Sequence, residues 1–134
     1  MMPPIVFSAA CASAIVLLTA CAGAAQGDFP RQLALRPQSS AQLAPNTRLR
    51  LDAIDDSRCP PAVQCLWAGV LRYRLTLDAG GRTEQFTLDE TTPSHRALAA
   101  GLTISLLPGS TAAAASTAAR TEPVRLVISK DSHR

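Results

Sequence analysis

Aromatic side chains, lysine and histidine are scarce in this 134-residue chain, and each scarcity closes off a class of function. Behind residue 20 the aromatics are only Phe29, Trp67, Tyr73 and Phe86. Surfaces that hold sugars or single-stranded nucleic acid stack their ligands on several rings, so the chain offers neither platform. Of 13 basic residues Lys130 is the sole lysine, and the arginines are spread along the sequence. A net charge of +3 without a basic cluster is no footprint for nucleic acid. The two histidines are His95 and His133, and no methionine follows Met2. Neither a histidine cluster nor soft sulfur ligands are available, so no metal site and no cofactor are expected. Ser94 and His95 are chain neighbours, which does not amount to a nucleophile and base held by a fold.

Charge is missing altogether from the first 27 residues; Asp28 and Arg31 are the first to carry any. Residues 5–20 are apolar but diluted with Ser, Thr and Ala, shorter than the roughly 20 apolar residues of a spanning helix. A short apolar stretch closed by small residues reads as a secretory signal. It ends in Leu18-Thr19-Ala20-Cys21. This run resembles the bacterial lipobox. The resemblance implies that Cys21 receives a diacylglycerol and becomes the N-terminus once residues 1–20 are removed, and Ala22 behind it implies delivery to the outer membrane, facing the periplasm. Each buried methylene of an acyl chain contributes ~0.8 kcal/mol, so several chains hold a small domain without a spanning segment. Met1-Met2-Pro3-Pro4 departs from the pattern by carrying no Lys or Arg. The alternatives are a plain secretory signal cut near Ala20 and a retained N-terminal anchor. Cys11 follows Ser8-Ala9-Ala10, where serine stands in place of the expected leucine, and is the poorer site.

Residues 21–31 are small and polar and read as a flexible tether, leaving 32–134 as one domain. Within it the pattern turns to period two. Leu49, Leu51 and Ala53 alternate with Arg48, Arg50 and Asp52; Leu71, Tyr73, Leu75 and Leu77 alternate with Arg72, Arg74 and Thr76. Such alternation predicts strands with one buried and one wet face. Gly80-Gly81 supplies a hairpin signal, with Phe86 and Leu88 facing in on the next strand. Leu102, Ile104 and Leu106, then Val124, Leu126 and Ile128, complete the set, with weaker strands near 32–36 and 41–43. Six to eight short strands predict an antiparallel β-sandwich, with an open β-barrel as the alternative. Residues 110–120, almost all Ala, Ser and Thr, are expected to form a mobile loop rather than a short helix capped by Ser110 or Thr111.

With Cys21 acylated, Cys59 and Cys65 remain as an even pair in a compartment that permits disulfides. Their short ring holds two prolines, and loop-closure entropy assigns it roughly 2 kcal/mol. Around the pair stand Asp56-Ser57-Arg58-Cys59-Pro60 and Cys65-Leu66-Trp67-Ala68-Gly69. This block resembles the signature DSRCP-x4-C-x-W-A-G of small uncharacterised bacterial lipoproteins and exported proteins. The resemblance implies an exported β-rich domain and carries no activity.

Each residue of the block also has a structural reading. Asp56 and Ser57 can satisfy turn amides. Pro60 cannot sit in a central ladder, so the ring is loop. Trp67 is large enough to cover the disulfide and one end of the core. Gly69 predicts a bulge or a close backbone approach. A folding staple is therefore expected here, on a loop that can also carry function.

Active dithiols usually show Cys-x-x-Cys at a helix start, which the five-residue spacing here does not match. Adjacent acids at Asp55-Asp56 and Asp89-Glu90 are explained by turn or solvent roles more simply than by paired-carboxylate hydrolysis. Arg48, Arg50, Arg72 and Arg74 fall on outward faces and could together meet an anionic envelope polymer or lipid headgroup, with Asp52 and Asp78 able to neutralise them. The sequence thus points to a membrane-anchored envelope lipoprotein with a non-enzymatic binding or structural role. A protein or an anionic polymer is its expected partner. An envelope hydrolase or thiol-redox protein is the alternative.

Overall fold

The alternating segments become strands. A computed structural model describes residues 28–109 and 118–131. The strands are β1 (Arg31–Leu35), β2 (Ser40–Ala44), β3 (Thr47–Asp56), β4 (Leu71–Ala79), β5 (Arg82–Leu88), β6 (Ser94–Ala97), β7 (Leu102–Leu106) and β8 (Val124–Lys130). They form two four-stranded sheets in the orders β1-β8-β7-β6 and β2-β3-β4-β5, with every pairing antiparallel. The fold is all-β, a small sandwich with no closed barrel. Among the described residues the only helical piece is a 3-10 turn, Ala118–Arg120, and no helix is long and apolar enough to cross a membrane.

One apolar layer lies between the sheets. Leu49, Leu51, Leu75, Leu77 and Leu88 face Ile104, Val124, Leu126 and Ile128, all fully buried. Burying each such side chain contributes about 1.5–3 kcal/mol, an upper figure because unfolded chains already hide some surface. Both open sides of the sandwich are tied by side chains. On one, the Arg31 guanidinium donates to the Gln42 carbonyl at 2.8 Å. On the other, Glu84 of β5 meets His95 of β6 at 2.7 Å, and the His95 ring stacks on Phe86 with centroids 4.1 Å apart.

Antiparallel order gives the domain two distinct ends. At one end lie Phe29, next to the first described residue, the turns at residues 45–46, 80–81 and 98–101, and the end of β8. At the other lie residues 36–39, 57–70, 89–93 and the segment leading into β8. The cysteine loop and the start of the domain therefore occupy opposite ends.

The structure departs from simple alternation at several points. A bulge between Leu51 and Ala53 adds a residue to β3 and reverses its phase. Ala53 therefore leaves the core, Ile54 enters it and Asp55 turns outward. Arg31, expected to end the tether, pairs with Ile128 as the first residue of β1. Strand β6 was not expected, because Ser94-His95-Arg96-Ala97 offers one small apolar residue to a hydrophobic pattern. Residues 1–27, with the expected signal and Cys21, lie outside the described residues, as do residues 110–117 of the expected loop and His133.

Candidate functional site

The block around the cysteines joins β3 to β4, and its polar residues hold the loop in place. Asp56 ends β3, and both its carboxylate oxygens accept from the guanidinium of Arg58, Oδ1 from Nε and Oδ2 from Nη2, at 2.9 Å each. The backbone N–H of Arg58 adds a third bond to Oδ1 at 3.1 Å. A fork of this kind fixes geometry as well as charge. The Asp56 side chain is only 3% exposed, and the bonds from Arg58 hold its carboxyl below the ordinary aspartate value against the opposing effect of burial. Arg120 donates to the Asp56 carbonyl at 3.3 Å, binding the 3-10 turn to the same point.

Across the loop base, Ser57 N–H donates to the Val70 carbonyl at 3.1 Å, and Val70 N–H donates to the Ser57 hydroxyl at 3.0 Å. Gly69 lies directly beneath this crossing: a Cβ there would stand 1.7 Å from the Ser57 carbonyl oxygen. The expected close approach at Gly69 is thus present, and only glycine permits it. Pro60 accepts from Val63 N–H at 3.1 Å in a turn, and Cys59 and Cys65 form a disulfide with Cα atoms 5.9 Å apart. Asp56, Ser57, Arg58, Pro60 and Gly69 all act on the loop's shape.

The apolar residues of the loop do not join them. Trp67 is 77% exposed, Leu66 93% and Val63 56%. The expectation that Trp67 covers the disulfide and an end of the core is therefore corrected. That end is already filled by Ile54, Leu71 and Tyr73, all buried, and burial pushes the Tyr73 hydroxyl above its ordinary pKa. The indole stands in solvent.

The arginine face is built differently. Arg48 and Arg50 of β3 and Arg72 and Arg74 of β4 are all exposed on the outer side of the second sheet, as alternation predicts. Three of them meet carboxylates: Arg50 to Asp52 at 2.6 Å, Arg74 to Asp55 at 2.9 Å and Arg72 to Asp89 at 3.6 Å. Arg48 lies opposite Asp78 in register, with its Nε 3.4 Å from the Gln42 amide oxygen. Asp52 sits at the bulge and accepts from the buried Thr76 hydroxyl at 2.5 Å. Burial works to raise its pKa, but the bonds from Thr76 and Arg50 outweigh it and the net shift is downward. A shallow depression of about 270 Å³ beside it is lined by Asp52, Arg74, Gln85 and Thr87. This is a mixed-charge surface, whose acids match the cations an anionic ligand would need.

The adjacent acids part company. Asp55 faces outward to Arg74 while Asp56 serves the loop clamp. Asp89 accepts from Thr91 N–H and hydroxyl and from Thr92 N–H at 2.6–2.9 Å, a turn role that lowers its pKa. Among the described residues no group of three or more His, Cys, Asp or Glu is placed to hold a metal ion. Sequence reasoning missed two features: the Glu84–His95 contact between the sheets, and the exposure of Leu66 and Trp67. Only the second had a signal, since both residues fall in a connecting segment and such segments run over the surface. Comparison with protein-family models, with curated proteins and with solved structures finds no match.

Proposed function

We propose that this chain is an acyl-anchored lipoprotein of the bacterial cell envelope with a non-enzymatic binding or structural role, and that residues 57–70 are its contact surface. The lipobox-like run ending at Cys21 supports the anchor, and the resemblance of residues 56–69 to small exported lipoproteins supports the compartment. The contact surface rests on one observation: Leu66 and Trp67 are held in solvent by a loop whose shape is fixed by Asp56, Ser57, Arg58 and the Cys59–Cys65 disulfide. Folding favours burying an indole, so an exposed one on a fixed loop has the anatomy of a binding hot spot. Fixing the loop beforehand reduces the ordering cost of association.

Radical footprinting by mass spectrometry tests this on the full chain. In intact envelopes, Trp67 should oxidise at least fivefold more slowly than in the purified protein, while Leu98, 72% exposed at the opposite end, should change little. Equal oxidation of Trp67 in both settings would remove the contact-surface reading. Metabolic labelling with a clickable fatty acid, expected to vanish in Cys21→Ala, tests the anchor separately.

A further inference from the structure

We infer that the Cys59–Cys65 disulfide is a site of thiol–disulfide exchange in the folded domain, opened by a protein dithiol of the Cys-x-x-Cys class. Opening it frees residues 60–68 and leaves both sheets standing. The inference depends neither on the acyl anchor nor on what the loop contacts.

The first observation is where the bond lies. Cys59 and Cys65 both belong to the connection between β3, which ends at Asp56, and β4, which begins at Leu71. The bond therefore ties no strand to another. The base of the connection is closed without it, by Ser57 against Val70 and by the Asp56–Arg58 fork. Among the described residues, 60–68 are all exposed and make no hydrogen bond to the rest of the domain. Val63 N–H bonds the Pro60 carbonyl, inside the ring itself. A cross-link stabilises a fold when it restricts the unfolded chain more than the folded one. A ring that packs on nothing is restricted equally in both states, so opening it costs the fold little. What the bond fixes is the tip, with Leu66 and Trp67 directly behind Cys65.

The second observation is access. Cys65 is exposed and Cys59 half-buried, so Cys65 is the open side for an incoming thiolate. Residues 59–69 include no carboxylate to repel it. In the first step a reductant thiolate bonds to the Cys65 sulfur and the Cys59–Cys65 bond breaks. Its electron pair goes to the Cys59 sulfur, which takes up a proton. That thiol has an acceptor already beside it, the Val63 carbonyl oxygen 2.9 Å from the sulfur. In the second step the reductant's other thiolate attacks the reductant's own sulfur in the mixed disulfide. Cys65 leaves with the electron pair and is protonated, while the reductant closes its own disulfide. Two electrons and two protons have then passed to this chain.

The test uses the purified, oxidised full chain, with dithiothreitol and a reduced Cys-x-x-Cys oxidoreductase as the two probes. Alkylation of Cys59 and Cys65, read by peptide mass spectrometry, should proceed at a rate that does not rise in urea below the unfolding transition. Exchange that waits for global unfolding would instead accelerate steeply with urea. The reduced chain should melt within about 3 °C of the oxidised one, while chymotrypsin should cut after Leu66 or Trp67 about tenfold faster. A Cys59→Ser, Cys65→Ser double variant should reproduce both properties and ignore either dithiol. Alkylation that tracks unfolding, a reduced chain that melts far lower, or unchanged cleavage each overturn the inference. So does a bond that opens to dithiothreitol but not to the protein dithiol. The contact-surface reading is decided separately, by the footprint of Trp67 in envelopes.

Discussion

The outer face of β3 and β4 and the loop that joins them treat solvent in opposite ways. On the face, charged groups that belong in water are matched among themselves, Arg50 with Asp52 and Arg74 with Asp55. In the loop, side chains that belong in a core are displayed, while Asp56 and Arg58 at its base are paired against the protein. A matched polar face is what any sheet in water presents, and exposed ion pairs of this kind contribute about 0–1 kcal/mol each. An apolar tip on a stapled loop is not explained by solvation. Functional interest therefore moves from the arginines, which the sequence makes conspicuous, to Leu66 and Trp67, which it does not.

The sharpest way to break the contrast is to unseat the loop. In Gly69→Ala the new Cβ meets Ser57 backbone at 1.7–2.1 Å, and no flexible side chain can yield there. We expect a loss of about 3 kcal/mol, near the upper range for overpacking, and a fall in Tm of roughly 10–20 °C in thermal unfolding. Gly80→Ala, at a turn with positive φ but nothing within 4 Å, should cost only about 1 kcal/mol. Equal losses at the two positions would mean that the Gly69 crossing does not hold the loop.

Next in size is the clamp. Asp56→Asn replaces a carboxylate that accepts a guanidinium fork, for a loss of about 2 kcal/mol at pH 7 in urea unfolding. The folded-state pKa of Asp56 lies below the ordinary value of 3.8, so its contribution is complete well above that value. It disappears as the pH falls through the folded-state pKa. The gap in stability between wild type and variant should accordingly start to shrink as the pH drops below 3.8 and close only beneath the folded-state pKa. Asp52 and Asp89 are shifted in the same direction, so the variant should keep part of the acid sensitivity rather than none. A difference that stays constant from pH 7 to pH 3 would deny Asp56 its electrostatic role.

How much of this was legible beforehand differs between the two regions for a physical reason. Strand faces follow from alternation, so Leu49, Leu51, Leu75 and Leu77 inward and the four arginines outward could be read directly. The bulge at residues 51–53 could not, because it inserts a residue without leaving a Gly or Pro to mark it. Gly69 and Ser57 were readable as parts of a close turn, since few residues other than glycine suit one. Trp67 was misread because size and hydrophobicity suggest burial but do not say whether the core has room. Whether Ile54, Leu71 and Tyr73 close that end without help is a question of packing across three segments, and no local pattern encodes it.

The smallest expected effect on stability is also the most informative. Trp67→Ser removes the largest side chain of the domain, and replacing a buried aromatic typically costs about 3–5 kcal/mol. At 77% exposure almost none of that apolar surface is withdrawn from water on folding, so stability should move by no more than about 0.5 kcal/mol. The variant would then unfold like wild type while losing the contact described above, separating what holds the loop from what the loop displays. A loss of 2 kcal/mol or more in chemical unfolding would place the indole against the protein in solution. Trp67 would then be a core residue after all, and the contrast between the matched face and the displayed loop would lose its main support.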